Sequence, residues 1–192
     1  MIEDLLRNES FDLHWPQKVI FTDALEPELN SEEALVRVDS VGICGSDMHA
    51  FLGHDERRPA PLILGHEADG FVVQGKMEGK RVTFNPLATC GKCKACQRGQ
   101  DNICPSRQII SMQLRQGVFA EFVAIPEINL VEVPDQIDLA QAALAEPVAC
   151  GCHAAKLSQR IISRELGLAN ALVIGGESIG VSSALSLREL GI

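Results

Sequence analysis

The run "CGKCKACQRGQDNIC", Cys90 to Cys104, places four of the seven cysteines of a 192-residue chain inside one short, basic, glycine-punctuated segment. Thiols at this density impose a cross-link on any fold, and that cross-link is a disulfide staple, an iron–sulfur cluster or a metal ion. The chain starts with the acidic "MIEDLLRNES", which has neither the basic flank nor the apolar stretch of a secretory signal. With an odd cysteine count as well, it reads as a reduced, cytoplasmic protein, and a disulfide framework is disfavoured. Loops of two, two and seven residues separate the cysteines. Three thiolates can then wrap one ion while the fourth closes a tetrahedron, so a structural zinc is the first reading. An iron–sulfur cluster is its rival, because a Cys-x-x-Cys-x-x-Cys run and a final Cys-Pro, here Cys104-Pro105, also occur in ferredoxins, with a shorter last gap.

The rest of the chain sets the context for that lobe. The segments "KVIF", "EALVRVDSVG", "DGFVVQG", "KRVTF", "GVFAEFVAI" and "INLVEV" read as short strands. Pro59, Pro61, Pro86, Pro105, Pro126 and Pro134 punctuate them, the texture of a barrel-like β domain. From Asp138, a helix-starting cap, the composition turns to helix formers as far as Leu166. Then "ALVI" reads as a buried strand, "GGESIG" as a tight turn and "VSSALSLREL" as a helix ending at Gly191. Strand, glycine turn and helix open a nucleotide-binding βαβ unit. One strand and one helix cannot close a parallel sheet, so a partner or further chain is expected to cover that edge. The longest apolar runs fall far short of the roughly 20 residues that span a bilayer. A net charge of −9 repels a phosphate backbone. Neither a membrane nor a nucleic acid is therefore expected as a partner.

A second cluster lies upstream. "GICGSDMH" carries Cys44, Ser46, Asp47 and His49, and "LGHEADG" carries His66 and Glu67. One thiolate, one imidazole and one carboxylate make a mixed metal shell that leaves a position open for water or an alcohol. Alone, Cys44 reads as a small hydrophobe and His66 as a hydrogen-bonded core residue; their weight lies in the combination.

These residues resemble the zinc-dependent medium-chain alcohol dehydrogenases, in which "GICGSD.H", "GHE..G", a "CG.C..C..G..N.C" lobe and a glycine-rich nucleotide turn follow in this order. Gly91, Gly99 and Asn102 also meet the lobe pattern. The resemblance implies a mainly β, GroES-like barrel domain over residues 1–145, with its zinc lobe at about 86–108. It also implies an incomplete Rossmann-type α/β segment over 146–192. It makes Cys90, Cys93, Cys96 and Cys104 the structural zinc ligands, and Cys44, His66 and Glu67 ligands of a catalytic zinc, two ions per chain. Glu146 of "AEPVACG" matches the position where polyol and threonine dehydrogenases place a carboxylate near that ion. Asp47 is expected to orient His66, while Ser46 and His49 pass the substrate proton toward solvent. Gly175, Gly176 and Gly180 are expected at an NAD or NADP turn. Glu177 replaces the middle glycine of the fingerprint and opposes a negative pyrophosphate. Cys150 and Cys152 are expected as small core residues, and His14, His54 and His153 as surface or core residues. The implied function is hydride transfer between NAD(P) and a secondary alcohol: a polyol, sugar acid or hydroxy amino acid. The alternative is a zinc-binding relative without activity, a structural or partner-bound module. Family members commonly join through the nucleotide-binding sheet, which implies a homo-oligomer.

Overall fold

The computed structural model describes residues 7–161 and 168–192. The chain divides into two compact units, Met1–Ala143 and Leu144–Ile192.

In the first unit β1 (Arg7–Trp15) and β2 (Lys18–Leu25) form an antiparallel hairpin, and β1 also pairs with the two-residue β4 (Leu62–Ile63). A five-stranded antiparallel sheet runs in the order β10 (Leu130–Glu132), β6 (Arg81–Phe84), β5 (Glu67–Gln74), β3 (Glu33–Gly42), β9 (Phe122–Pro126). Register shifts in β3, between Leu35 and Val36 and again between Val38 and Ser40, bend the strand and curl the sheet. Ala34, Val36, Val72, Val82, Val123 and Ile125 fill its concave face. Each fully buried valine or isoleucine contributes on the order of 1.5–3 kcal/mol relative to exposure. A smaller cluster of Leu13, Ala50, Leu62 and Leu64 packs β1 against helix α1 (Gly45–Phe51). The short antiparallel pair β7 (Leu87–Ala88) and β8 (Gln108–Ile109) brackets the cysteine segment in the sequence and joins its two ends.

The six strand readings fall on β2, β3, β5, β6, β9 and β10. Strand β1 was not foreseen, because "RNESFDLHW" is half polar and only Leu13 of its apolar side chains enters a core. It is held differently. Asn8 is buried, and its amide donates to the Phe122 carbonyl at 3.0 Å and accepts from the Phe122 N–H at 2.9 Å. The side chain thus imitates a strand neighbour, extending the contacts that Phe11 and Glu9 make with Phe119 and Glu121 through the backbone.

The helical stretch beginning at Asp138 is interrupted. Asp138 caps α3 (Leu139–Ala142), its carboxylate accepting from Ala140 N at 2.8 Å, and α4 (Ala145–Ile161) starts afresh. The break follows from Pro147: inside one continuous helix its ring would strike the carbonyl of Ala143, whereas in a first turn it is tolerated. The helical reading of residues 162–166 lies outside the described residues.

In the second unit α4 packs against α5 (Ser178–Glu189). Pro147, Gly151 and Ala155 form the buried stripe of α4, and a Cβ on Gly151 would stand 2.6 Å from Ser182. Cys152 is half-buried, but Cys150 is exposed and is not a core residue. The strand expected at residues 171–174 does not form. Leu172 and Ile174 are 86% and 91% exposed and join no ladder among the described residues. A β-strand exists only through its neighbour's backbone groups, and an apolar run cannot supply them alone. The turn and helix of the expected unit are present without their sheet. Among the described residues no helix is long and apolar enough to cross a membrane.

Replacing Asn8 by Ala should destabilise the first unit by about 1–3 kcal/mol, because it strands the buried Phe122 N–H and carbonyl. Urea denaturation is the measurement; an unchanged midpoint would show that the amide pair is not what holds β1.

Candidate metal centres

Cys90 follows β7, and Cys93 caps the one-turn helix α2 (Lys94–Gln97) by accepting from Cys96 N at 3.5 Å. Cys104 lies fully buried beyond a short 3-10 turn, Asp101–Ile103. Gly91 has φ of +66°, a left-handed conformation that glycine adopts without strain, and it folds the chain back over Cys90. All four sulfurs lie within 4.8 Å of one another. A tetrahedron with metal–sulfur bonds of about 2.3 Å has sulfur–sulfur edges of about 3.8 Å. The edges here are 3.5 Å for Cys93–Cys96, 3.9 Å for Cys93–Cys104 and 3.6 Å for Cys90–Cys104. Those spacings fit one enclosed ion, and each is far beyond a disulfide bond of about 2.05 Å.

The electrostatics point the same way. The Lys92 and Cys93 backbone N–H groups draw the Cys90 thiol down to about 6. Burial and the neighbouring sulfurs push Cys96 up to about 11. Four adjacent thiols cannot all ionise against one another, and a cation at their centre is what permits it.

The second centre is assembled from distant segments by strand pairing. In the β3–β5 ladder Gly42 stands opposite Glu67. Cys44, two residues past Gly42 and at the start of α1, is thereby brought to His66 and Glu67 at the start of β5. One ligand atom from each of the three lies within 4.8 Å of the others, with His66 and Glu67 buried. A Cβ on Gly42 would stand 2.3 Å from Glu67 Oε2, so the glycine makes the space that the carboxylate occupies.

Asp47 binds this centre together. Its Oδ2 accepts from Cys44 N at 3.0 Å, and its Oδ1 accepts from Gly65 N at 3.2 Å and from Arg58 Nη1 at 2.9 Å. His66 Nδ1 lies 3.6 Å from the same Oδ1 and has no hydrogen-bond partner. Burial by itself works against the Asp47 carboxylate. The His66 ring and the N–H groups of Cys44 and Gly65 outweigh it and hold its pKa below the usual range.

The other expected site residues are placed unevenly. Ser46 Oγ is buried with no hydrogen-bond partner, as an oxygen kept for a ligand would be. His49 is exposed on α1 with its ring 6.3 Å from that of His54, and no hydrogen bond joins it to Ser46. Glu146 lies in the second unit, in the first turn of α4, and accepts from Cys150 Sγ at 3.5 Å. Two buried groups carried no sign in the sequence. Arg58 holds Asp47, and Asp69, two residues beyond Glu67 in β5, is pushed up to about 7 by burial and by Asp39.

At the glycine turn Gly175 has φ of +111°, and a Cβ on Gly180 would stand 2.1 Å from the Gly175 carbonyl oxygen. These two positions keep the tight junction with α5. Gly176 has open space where its Cβ would be. Glu177 caps α5 with φ of −83°, which needs no glycine, and its exposed side chain makes no capping bond. The backbone form of the dinucleotide turn is therefore present, but a carboxylate stands at the helix N-terminus where a pyrophosphate would approach.

Comparison with known proteins identifies the family of the first unit. Residues 30–135 match the family of the alcohol dehydrogenase GroES-like domain. The chain is 31% identical to a zinc-type alcohol dehydrogenase-like protein of Haemophilus influenzae, covering 96% of this chain and 54% of the relative. It is 36% identical to the sorbitol dehydrogenase of Bacillus subtilis, covering 67% of this chain and 39% of the relative. Among solved structures, an alcohol dehydrogenase of Escherichia coli CFT073 complexed with NADH superposes with a TM-score of 0.86 at 25% identity, covering 95% of this chain and 53% of that one. The chain thus spans about half the length of the curated relatives it matches.

Zinc analysis of two variants separates the centres. Cys44→Ala should lose the zinc of the mixed centre and keep that of the sulfur lobe. Cys93→Ala should do the reverse and lower stability by several kcal/mol, on the order of 10 °C in melting temperature. Loss of both ions from Cys44→Ala would show that the two clusters are not independent.

Proposed function

The chain belongs to the zinc-dependent medium-chain alcohol dehydrogenase family through its GroES-like domain, and we propose that it is the catalytic part of an oxidoreductase moving hydride between a secondary alcohol and NAD(P). The observation that carries this reading is the set of half-buried Cys44 with buried His66 and Glu67, whose ligand atoms lie within 4.8 Å of one another, together with the buried, unpartnered Ser46 hydroxyl two residues past Cys44. Three ligands leave a fourth position for a substrate oxygen, whereas the lobe of four thiolates leaves none and serves stability. The substrate class we infer is a polyol, sugar acid or hydroxy amino acid, on the strength of the polyol relative and of a carboxylate at Glu146.

Bound zinc supplies a Lewis acid for the substrate hydroxyl, and NAD(P) supplies the hydride acceptor. The side chains contribute the rest. Cys44, His66 and Glu67 would hold the ion, and Asp47 Oδ1, 3.6 Å from Nδ1, faces the ring of His66 and would orient it. Ser46 Oγ is the candidate acceptor of the substrate hydroxyl proton. With no hydrogen bond from Ser46 to His49, further transfer would need a water between them or movement of the exposed His49 ring.

A second reading is favoured by Glu177: a zinc-binding module that does not hold a dinucleotide. Zinc content measured with NADH titration decides between them. About two zinc ions per chain with saturable NADH binding supports the oxidoreductase, and two ions without binding supports the module. Glu177→Gly should raise NADH affinity at least about tenfold, by removing bulk and charge from the path of the pyrophosphate. Equal affinity of the two proteins would clear Glu177 of any effect.

A further inference from the structure

We propose that Arg58 is a positioning residue of the Cys44, His66 and Glu67 centre, acting through Asp47 to fix both the imidazole of His66 and the backbone that carries Cys44. The proposal rests on the reading that these three side chains hold the reactive metal ion. The Arg58 and Asp47 side chains are 3% and 1% exposed, and their contact at 2.9 Å joins segments eleven residues apart. Asp47 shares its two oxygens among three other groups, and two of these belong to the metal centre: the Cys44 N–H at 3.0 Å and the His66 ring at 3.6 Å. The third, the Gly65 N–H at 3.2 Å, belongs to the residue immediately before His66.

A carboxylate held by one donor can rotate about its own bond. Held by donors from three separate segments, it has one orientation, and the Nδ1 side of His66 must meet it. Arg58 is itself anchored from behind. Its N–H donates to the Asp55 carbonyl at 3.1 Å, and its Nε lies 3.8 Å from Asp55 Oδ2. Stability does not account for such a pair, because buried ion pairs can often be exchanged for apolar side chains of similar volume with little loss. Positioning does account for it. The rigid guanidinium fork supplies a cation in contact with Asp47 Oδ1, the oxygen that also faces His66.

The test uses cobalt(II) in place of zinc in the full chain, since its visible absorption reports the ligand geometry of each centre. Cys44→Ala identifies the bands of the four-thiolate lobe. Arg58→Met should lower cobalt affinity at the mixed centre by about 10–100-fold and alter its bands, leaving those of the lobe unchanged. Arg58→Lys, which keeps the charge without the fork, should recover part of the loss. If Arg58→Met does not fold, the double variant Asp47→Asn/Arg58→Met, which buries no charge at either position, should show the same selective loss. Wild-type bands and affinity at the mixed centre in either folded variant overturn the proposal alone, as does equal damage to both centres. Cobalt binding by the unsubstituted chain at the lobe only overturns the metal reading, and the proposal with it.

Discussion

The antiparallel ladder between β3 and β5 is the constraint on which the mixed centre depends. Its register sets Gly42 against Glu67 and so delivers Cys44 to His66 across more than twenty residues of chain. Side chains alternate between the faces of a strand, so a slip of one residue would turn Glu67 to the opposite face. It would also set a side chain where Glu67 now has only Gly42 before it. The register is held from both sides. β9 pairs with the other edge of β3, β6 with the other edge of β5, and the valines of these strands share one core. Hydrophobic burial around the curled sheet thus fixes the position of three polar side chains that contribute little to that burial themselves.

The two clusters obtain their geometry by different routes. In the lobe every ligand lies within fifteen residues, and a glycine turn, one turn of helix and one 3-10 turn bring the sulfurs together. Residues 90–103 are half-buried or exposed, so an ion held by the four sulfurs would supply much of the local folding free energy. The mixed centre inverts this dependence. Its candidate ligands are placed by a sheet with its own apolar core, so an ion would bind to a frame already built. With an ion bound, four thiolates would leave no open position and serve stability, whereas three mixed ligands would leave one open.

That difference also governs how much could be read from the chain before its structure. The lobe was legible in the spacing of its cysteines, because local loops set the geometry. Cys44, His66 and Glu67 were legible only together and by resemblance, since no spacing in the sequence reveals that Gly42 faces Glu67. Arg58 and Asn8 carried no signal at all. Each acts through one partner far away in sequence, and each reads alone as a surface residue. The strand expected at residues 171–174 was misread for the same reason in reverse: an apolar run reports a preference for burial, whereas a strand requires neighbours. The division of the helix after Asp138 was legible in principle, from the reach of the Pro147 ring back to Ala143, but composition alone suggested one continuous helix.

Charge balance connects the two clusters to their surroundings. A thiolate at Cys44 and a carboxylate at Glu67 would balance the charge of a dication held there. Asp47 would upset that balance from its buried position beside His66. Arg58 offsets its charge there. The lobe has the opposite problem, because four thiolates around one dication leave an excess of two negative charges. Lys92, Lys94, Arg98 and Arg107 lie within or just beyond its loops, in a chain whose net charge is otherwise strongly negative. Cations clustered at these positions would oppose the charge that four thiolates around a dication leave uncompensated.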